Sequence, residues 1–111
     1  MDWSRHVKVL KTDQYDRWLR RLKDVEARAK INARIRRIQL ANVLVGDWKN
    51  VGGKVIELRV DCGPGYRVYA HLRGRELLLL LLGGDKSTQY EDIRKARVLL
   101  EEWEAQGGRE D

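Results

Sequence analysis

A chain of 111 residues, 42% apolar and 36% charged, has room for one domain with one core, and residues 1–111 read as a single unit. Its 23 lysines and arginines against 17 aspartates and glutamates give a net charge of +6, which favours a polyanionic partner through steering and counterion release. One cysteine, Cys62, excludes an internal disulfide, and two well-separated histidines, His6 and His71, argue against a metal centre, so no metal or cofactor is expected.

His6 to Lys11 alternates as a first strand should, and Thr12 or Asp13 then caps a short helix over 13–23 that carries Tyr15, Trp18, Leu19 and Leu22 at helical spacing. Asp24 caps a second helix over 25–44, ending at Gly46. Its stripe is Ala27, Ile31, Ile35, Ile38 and Val45, and its arginines read as solvated, with a basic face for nucleic acid or for an acidic protein segment as the other reading. The two helices predict an antiparallel hairpin lying on a sheet. A glycine-flanked loop, 46–53, holds Trp48, and the period then changes from helical to alternating.

In Lys54 to Asp61 and Arg67 to Leu72 the apolar positions alternate with polar ones, and partners in an antiparallel pair must share a side. A five-residue loop, Cys62 to Tyr66, meets that condition. It pairs Ile56 with Leu72, Leu58 with Ala70 and Val60 with Val68 on the core side, and Glu57 with His71, Arg59 with Tyr69 and Asp61 with Arg67 on the other. The expectation is an open polar face carrying Arg59, Arg67, Tyr69 and His71.

Six leucines, Leu77 to Leu82, follow; they are too few for the roughly 18–20 residues of a membrane span and suit a strand covered on both faces. No other run is longer, and the start MDWSRHVKVLK lacks the apolar core of a signal peptide, so a cytoplasmic location without membrane contact is expected. Gly83-Gly84-Asp85-Lys86-Ser87-Thr88 imitates a nucleotide-binding loop but has Asp85 where glycine must precede the lysine. It still presents a cation and free N–H groups at one sheet edge. A last helix places Ile93, Ala96, Leu100 and Trp103 three and four apart; the core ends near 104, and 105–111 is expected to fray.

The strand, the helical hairpin, ELR-V-x-x-GPGYRVY (Glu57 to Tyr69), LLLLLLGGDKSTQ (Leu77 to Gln89) and DI-x-x-A (Asp92 to Ala96) together resemble the RelE/ParE superfamily of bacterial toxins, in particular its HigB-like branch of addiction-module killer proteins. The resemblance spans about residues 7–104. It implies an α+β toxin: a twisted, mainly antiparallel sheet packed by an N-terminal strand and helical hairpin, with a C-terminal helix. It also implies neutralisation by a helix-turn-helix antitoxin and, in RelE-type members, metal-free cleavage of messenger RNA in the ribosomal A site. There the 2′-hydroxyl attacks its own phosphodiester, leaving a cyclic phosphate and a 5′-hydroxyl.

Carried over position by position, the resemblance gives Arg67 as the arginine of the toxin strand, with Arg59 as a second phosphate clamp on the same predicted face. Lys86 falls near the basic segment that follows the last strand of such toxins. Tyr66 or Tyr69 is a candidate to stack on a base, Tyr90 lies where some relatives keep a functional tyrosine, and Lys54 adds a cation for RNA. Relatives that cut RNA carry several basic residues after the last strand, whereas here Lys86 is followed by Ser-Thr-Gln. His71 and Glu57 are candidate bases by chemistry and not by family. Two other readings remain open: a ParE-like inhibitor of DNA gyrase without nuclease activity, and a non-catalytic basic module that binds RNA or protein. The ordinary structural reading is that Arg59 opposite Tyr69 and Arg67 opposite Asp61 are simply cross-strand pairs on a solvated face.

Overall fold

The computed structural model describes residues 6–110, in the order β1 (Lys8–Lys11), α1 (Asp13–Arg21), α2 (Val25–Ala41), β2 (Trp48–Asn50), β3 (Ile56–Val60), β4 (Tyr66–Arg73), β5 (Leu77–Asp85) and α3 (Gln89–Ala105). One sheet has the order β1-β5-β4-β3-β2, with β1 parallel to β5 and the other pairs antiparallel. The α+β architecture of strand, helical hairpin, mainly antiparallel sheet and C-terminal helix is therefore the one the sequence implies.

The leucine run is a doubly covered strand. Leu78 and Leu80 enter the core formed with α1 and α2, where Tyr15, Ile31, Ile38, Leu58 and Val68 are buried, while Leu79 and Leu81 pack under α3 with Val55, Tyr69, Ala96 and Leu100. The strand does not stop at the glycines. It runs through Gly83 and Gly84 because both sites are filled by neighbours: a β-carbon at Gly83 would lie 2.1 Å from the Trp18 ring, and one at Gly84 1.9 Å from Asp92 Oδ2. The ladder slips at Leu81, since Tyr69 pairs with Leu82 but Ala70 with Leu80. Thr12 repairs the slip: its hydroxyl donates to the Leu81 carbonyl at 2.6 Å and accepts from Tyr15 N at 3.0 Å, so one side chain caps α1 and satisfies the bulge.

Helix α2 ends three residues before the predicted boundary, with Asn42 in the left-handed conformation (φ 59°) and its side chain accepting from Val7 N at 2.9 Å. Within α2, Arg34 is buried among the aliphatics, contrary to the solvated reading. It donates to the carbonyls of Val45, of Arg59 at 2.8 Å and of Asp47 at 2.6 Å, and so fastens the 45–47 segment and β3 to the helix. A lysine lacks the donor fork to reach three carbonyls. Arg34→Lys is therefore expected to lose about 2–3 kcal/mol, the cost of stranding buried acceptors, read as a lowered midpoint in urea with an unchanged slope.

The β3–β4 register differs from the predicted one by two residues. Ile56 faces Ala70, Glu57 faces Tyr69, Leu58 faces Val68, Arg59 faces Arg67 and Val60 faces Tyr66. The faces keep their parity, but Tyr66 belongs to the strand and not to the loop, because its ring is buried on the core side, 6.5 Å from Trp18. The short edge strand β2, three exposed residues, lies within what reads as a loop. At the other terminus the 105–111 segment, expected to fray, turns back as far as residue 110. Trp103 Nε1 donates to the Arg109 carbonyl at 2.9 Å, and Glu110 pairs with Arg73 at 2.5 Å and Lys8 at 3.3 Å. Among the described residues no helix is long and apolar enough to cross a membrane.

Candidate functional site

The polar face predicted to be open is largely roofed by α3. Tyr69 has no exposed surface and His71 little, because the apolar stripe of α3 needs a floor and takes this side of the sheet. What stays accessible is the end of the face near the start of α3. Arg59 on β3 and Arg67 on β4 are direct cross-strand partners there, and Arg67 in turn faces Gly84 on β5.

Glu57 joins them from below. Its side chain is fully buried, yet it accepts from Arg59 Nε at 2.9 Å and from Gln89 Nε2 at 2.8 Å and lies 3.7 Å from Arg67 Nε. Burial pushes its pKa up, but the hydrogen bonds from Arg59 and Gln89, with the charges of Arg67 and of Lys49 across the β2–β3 pair, outweigh this and hold the carboxyl below its usual range. Glu57 is thus an ionised strut between two guanidiniums. With both oxygens engaged, it is poorly placed to accept a further proton.

Arg59 uses Nε on Glu57 while its side chain is 37% exposed, so the rest of its donor fork reaches solvent. Arg67 is only 12% exposed; it donates from Nη1 to the Gly65 carbonyl at 3.1 Å, and its buried Nε makes no hydrogen bond among the described residues. Two cations held side by side by one buried anion present a surplus of positive charge outward. Guanidinium donors of this kind suit an anion with several acceptor oxygens, such as a carboxylate or a phosphate.

The other predicted residues are dispersed. Lys86 is exposed in the short 3-10 turn Lys86–Thr88, where Asp85 is engaged by Ser87 N at 2.8 Å and Ser87 Oγ at 2.5 Å. Tyr90, on the first turn of α3, is 81% exposed and open to a partner. Tyr66 lies in the core and Tyr69 under α3, so neither ring is open to a base; burial, then the negative charges of Glu57 and Asp92, push the Tyr69 phenol up. His71 faces Leu79 on β5, and the residue opposite Glu57 is Tyr69. Its Nδ1 is 2.9 Å from the Lys54 carbonyl and its ring meets Trp103 edge-on at 6.4 Å. Lys54 itself binds Glu104 at 2.6 Å. His71 and Lys54 therefore form a separate cluster with α3.

Sequence reasoning missed Gln89 and Lys49, which reach Glu57 only through the tertiary fold. It also missed Asp92, which is buried against Gly84 and accepts from Thr88 Oγ1 at 2.6 Å. Burial raises the pKa of Asp92, so its ionised form costs stability once pH climbs past the unfolded value and through the folded one. Asp92→Asn, which can still accept from Thr88, is expected to raise the melting temperature at pH 7 and to make no difference near pH 3, as thermal melts across pH would record.

No family profile matches the chain. A Haemophilus influenzae protein of uncharacterized function is 48% identical over 96 residues, covering 86% of this chain and 95% of that protein. The chain belongs to that protein's family. Among solved structures, a free-state variant of the Escherichia coli toxin RelE with two arginines replaced by alanine aligns with a TM-score of 0.59 at 12% identity, over 81% of this chain and 97% of RelE. The fold is that of the RelE toxin, and on this RelE fold the Arg59–Arg67 pair stands where β3, β4 and the start of α3 meet.

Proposed function

We propose that the chain is the toxin of a type II toxin–antitoxin system, of the HigB-like branch, and that it blocks translation as a ribosome-dependent messenger RNA endonuclease in the cytoplasm. The observation that carries this reading is the facing pair Arg59 and Arg67, tied by buried Glu57 and partly open to solvent. In the proposed reaction the RNA 2′-oxygen attacks the adjacent phosphorus and the 5′-oxygen departs, giving a 2′,3′-cyclic phosphate and a 5′-hydroxyl. The added negative charge on the phosphorane oxygens is what two pre-positioned guanidiniums stabilise. Tyr90 and Lys86, both exposed at the start of α3, are the proposed further RNA contacts. A helix-turn-helix antitoxin is the proposed protein partner.

The cluster supplies charge but no free base, since Glu57 is ion-paired and His71 is engaged with Lys54. Cleavage of naked RNA by the isolated chain is accordingly slow in this reading, and cleavage on the ribosome fast. The test is expression in a translating extract followed by mapping of RNA 5′ ends. Cuts phased with codons in ribosome-bound message support the reading. Intact message with gyrase-linked DNA breaks would instead identify a ParE-like inhibitor, and equal cleavage without ribosomes would contradict ribosome dependence.

A further inference from the structure

A groove of about 520 Å³, within the range of ligand sites, opens between α2 and the end of β3, lined by Lys30, Ala33, Arg34, Arg37, Arg59, Val60 and Asp61. Four of these side chains are cationic and one is anionic. Arg34, at its base, is a buried charge satisfied by three carbonyl oxygens and by no carboxylate within ion-pair distance among the described residues. Its charge is offset at a distance by Asp47 and opposed by Arg37, so a buried cation with no carboxylate in direct contact favours an anion in the space beside it. Arg37 and Lys30 stand exposed on α2, and Lys30, which also feels the charge of Asp61, makes a surface pair with Glu26 at 3.3 Å, a contact that yields readily to a stronger anion. Arg59, at the end of β3, lines this groove and also pairs through its side chain with Glu57, so the two positive regions meet at that residue.

We propose that the groove between α2 and the end of β3 is a second phosphate-binding surface, continuous with the arginine pair through Arg59, that holds the backbone of the same RNA strand beyond the scissile bond. The assignment rests on the nuclease reading. It commits to a nucleic-acid backbone because the groove continues from a site read as taking phosphodiester, and because its rim offers separated cations over an apolar floor of Ala33 and Val60, with no sequence-reading edge.

The test measures fluorescence polarisation of the full chain with a long (about 12 nucleotides) and a short (about 3 nucleotides) 2′-O-methyl oligouridine across a salt series. Both substituted residues in Lys30→Gln/Arg37→Gln are on the exposed side of α2, and a thermal melt checks the fold. The expected result is roughly tenfold weaker binding of the long oligomer, with a salt slope lower by about 1.4, near 0.7 for each of the two phosphates no longer neutralised, and unchanged binding of the short one. If the long oligomer is unaffected by this double variant while Arg67→Gln weakens both, the groove assignment falls and the nuclease reading stands. If neither oligomer binds, or binding ignores both variants, the two fall together. Loss of affinity for a glutamate-rich peptide but not for RNA would give the groove to an acidic protein segment and overturn the assignment.

Discussion

Arg67→Ala is expected to reduce codon-phased cleavage in a translating extract by about 10²–10³-fold, the loss typical when one pre-positioned donor is removed from a developing oxyanion. Arg67 is the less exposed of the facing pair and the one fixed by a backbone bond, to Gly65, so its orientation is set before any substrate arrives. Arg59, anchored at a single nitrogen and three times as exposed, can adjust to substrate and should matter less. Arg67→Lys separates charge from geometry: it keeps the positive point but loses the fork, and should recover only a small part of the activity. Because Glu57 retains Arg59 and Gln89 as partners, Arg67→Ala should remain folded at 37 °C, and primer extension on ribosome-bound message then reports function and not abundance. Undiminished cleavage by folded Arg67→Ala would remove the arginine pair from the mechanism.

The sequence carries the sides of the sheet more securely than the pairings across it. Alternation in 54–61 and 67–72 assigns each residue to a face, and a two-residue slip preserves that assignment, which is why the pattern puts Arg59 and Arg67 on one side although it pairs Arg67 with Asp61. The slip is decided by burial of Tyr66 against Trp18, a contact between β4 and α1 that no local pattern contains. The leucine run was legible because its length fits a strand, whereas its bulge at Leu81 depends on a hydroxyl sixty-nine positions away. Arg34 reads as a surface residue because helical period alone cannot distinguish a solvated arginine from one swallowed by three carbonyls. The same blindness hid the roof over the polar face. The stripe of α3 announces that it must cover something, but Tyr69 and His71 look solvated until that helix lands on them.

Glu57→Ala should be among the most destabilising single substitutions in the chain, costing about 3–5 kcal/mol, since it removes the buried anion between two guanidiniums, strips the largely buried Arg67 of its counter-ion and takes the acceptor from Gln89 Nε2. Against a total stability of about 5–15 kcal/mol, such a loss lowers the denaturation midpoint severely. The effect should depend on pH in a definite direction. The folded pKa of Glu57 is depressed, so its contribution is complete above the unfolded value near 4.5 and disappears as pH falls through the lower folded value; wild type and variant should converge in acid. Glu57→Gln distinguishes a strut from a base. A glutamine keeps the shape and one acceptor but turns an amide donor toward Gln89 or the arginines, so a strut's loss loosens both guanidiniums and weakens binding of uncleavable oligonucleotide together with the cleavage rate. A base's loss would slow cleavage by about 10²–10⁴-fold with binding intact. Binding and rate should fall in parallel under the nuclease reading, because both oxygens of Glu57 are already committed to Arg59 and Gln89, which leaves it the task of holding the cations in place.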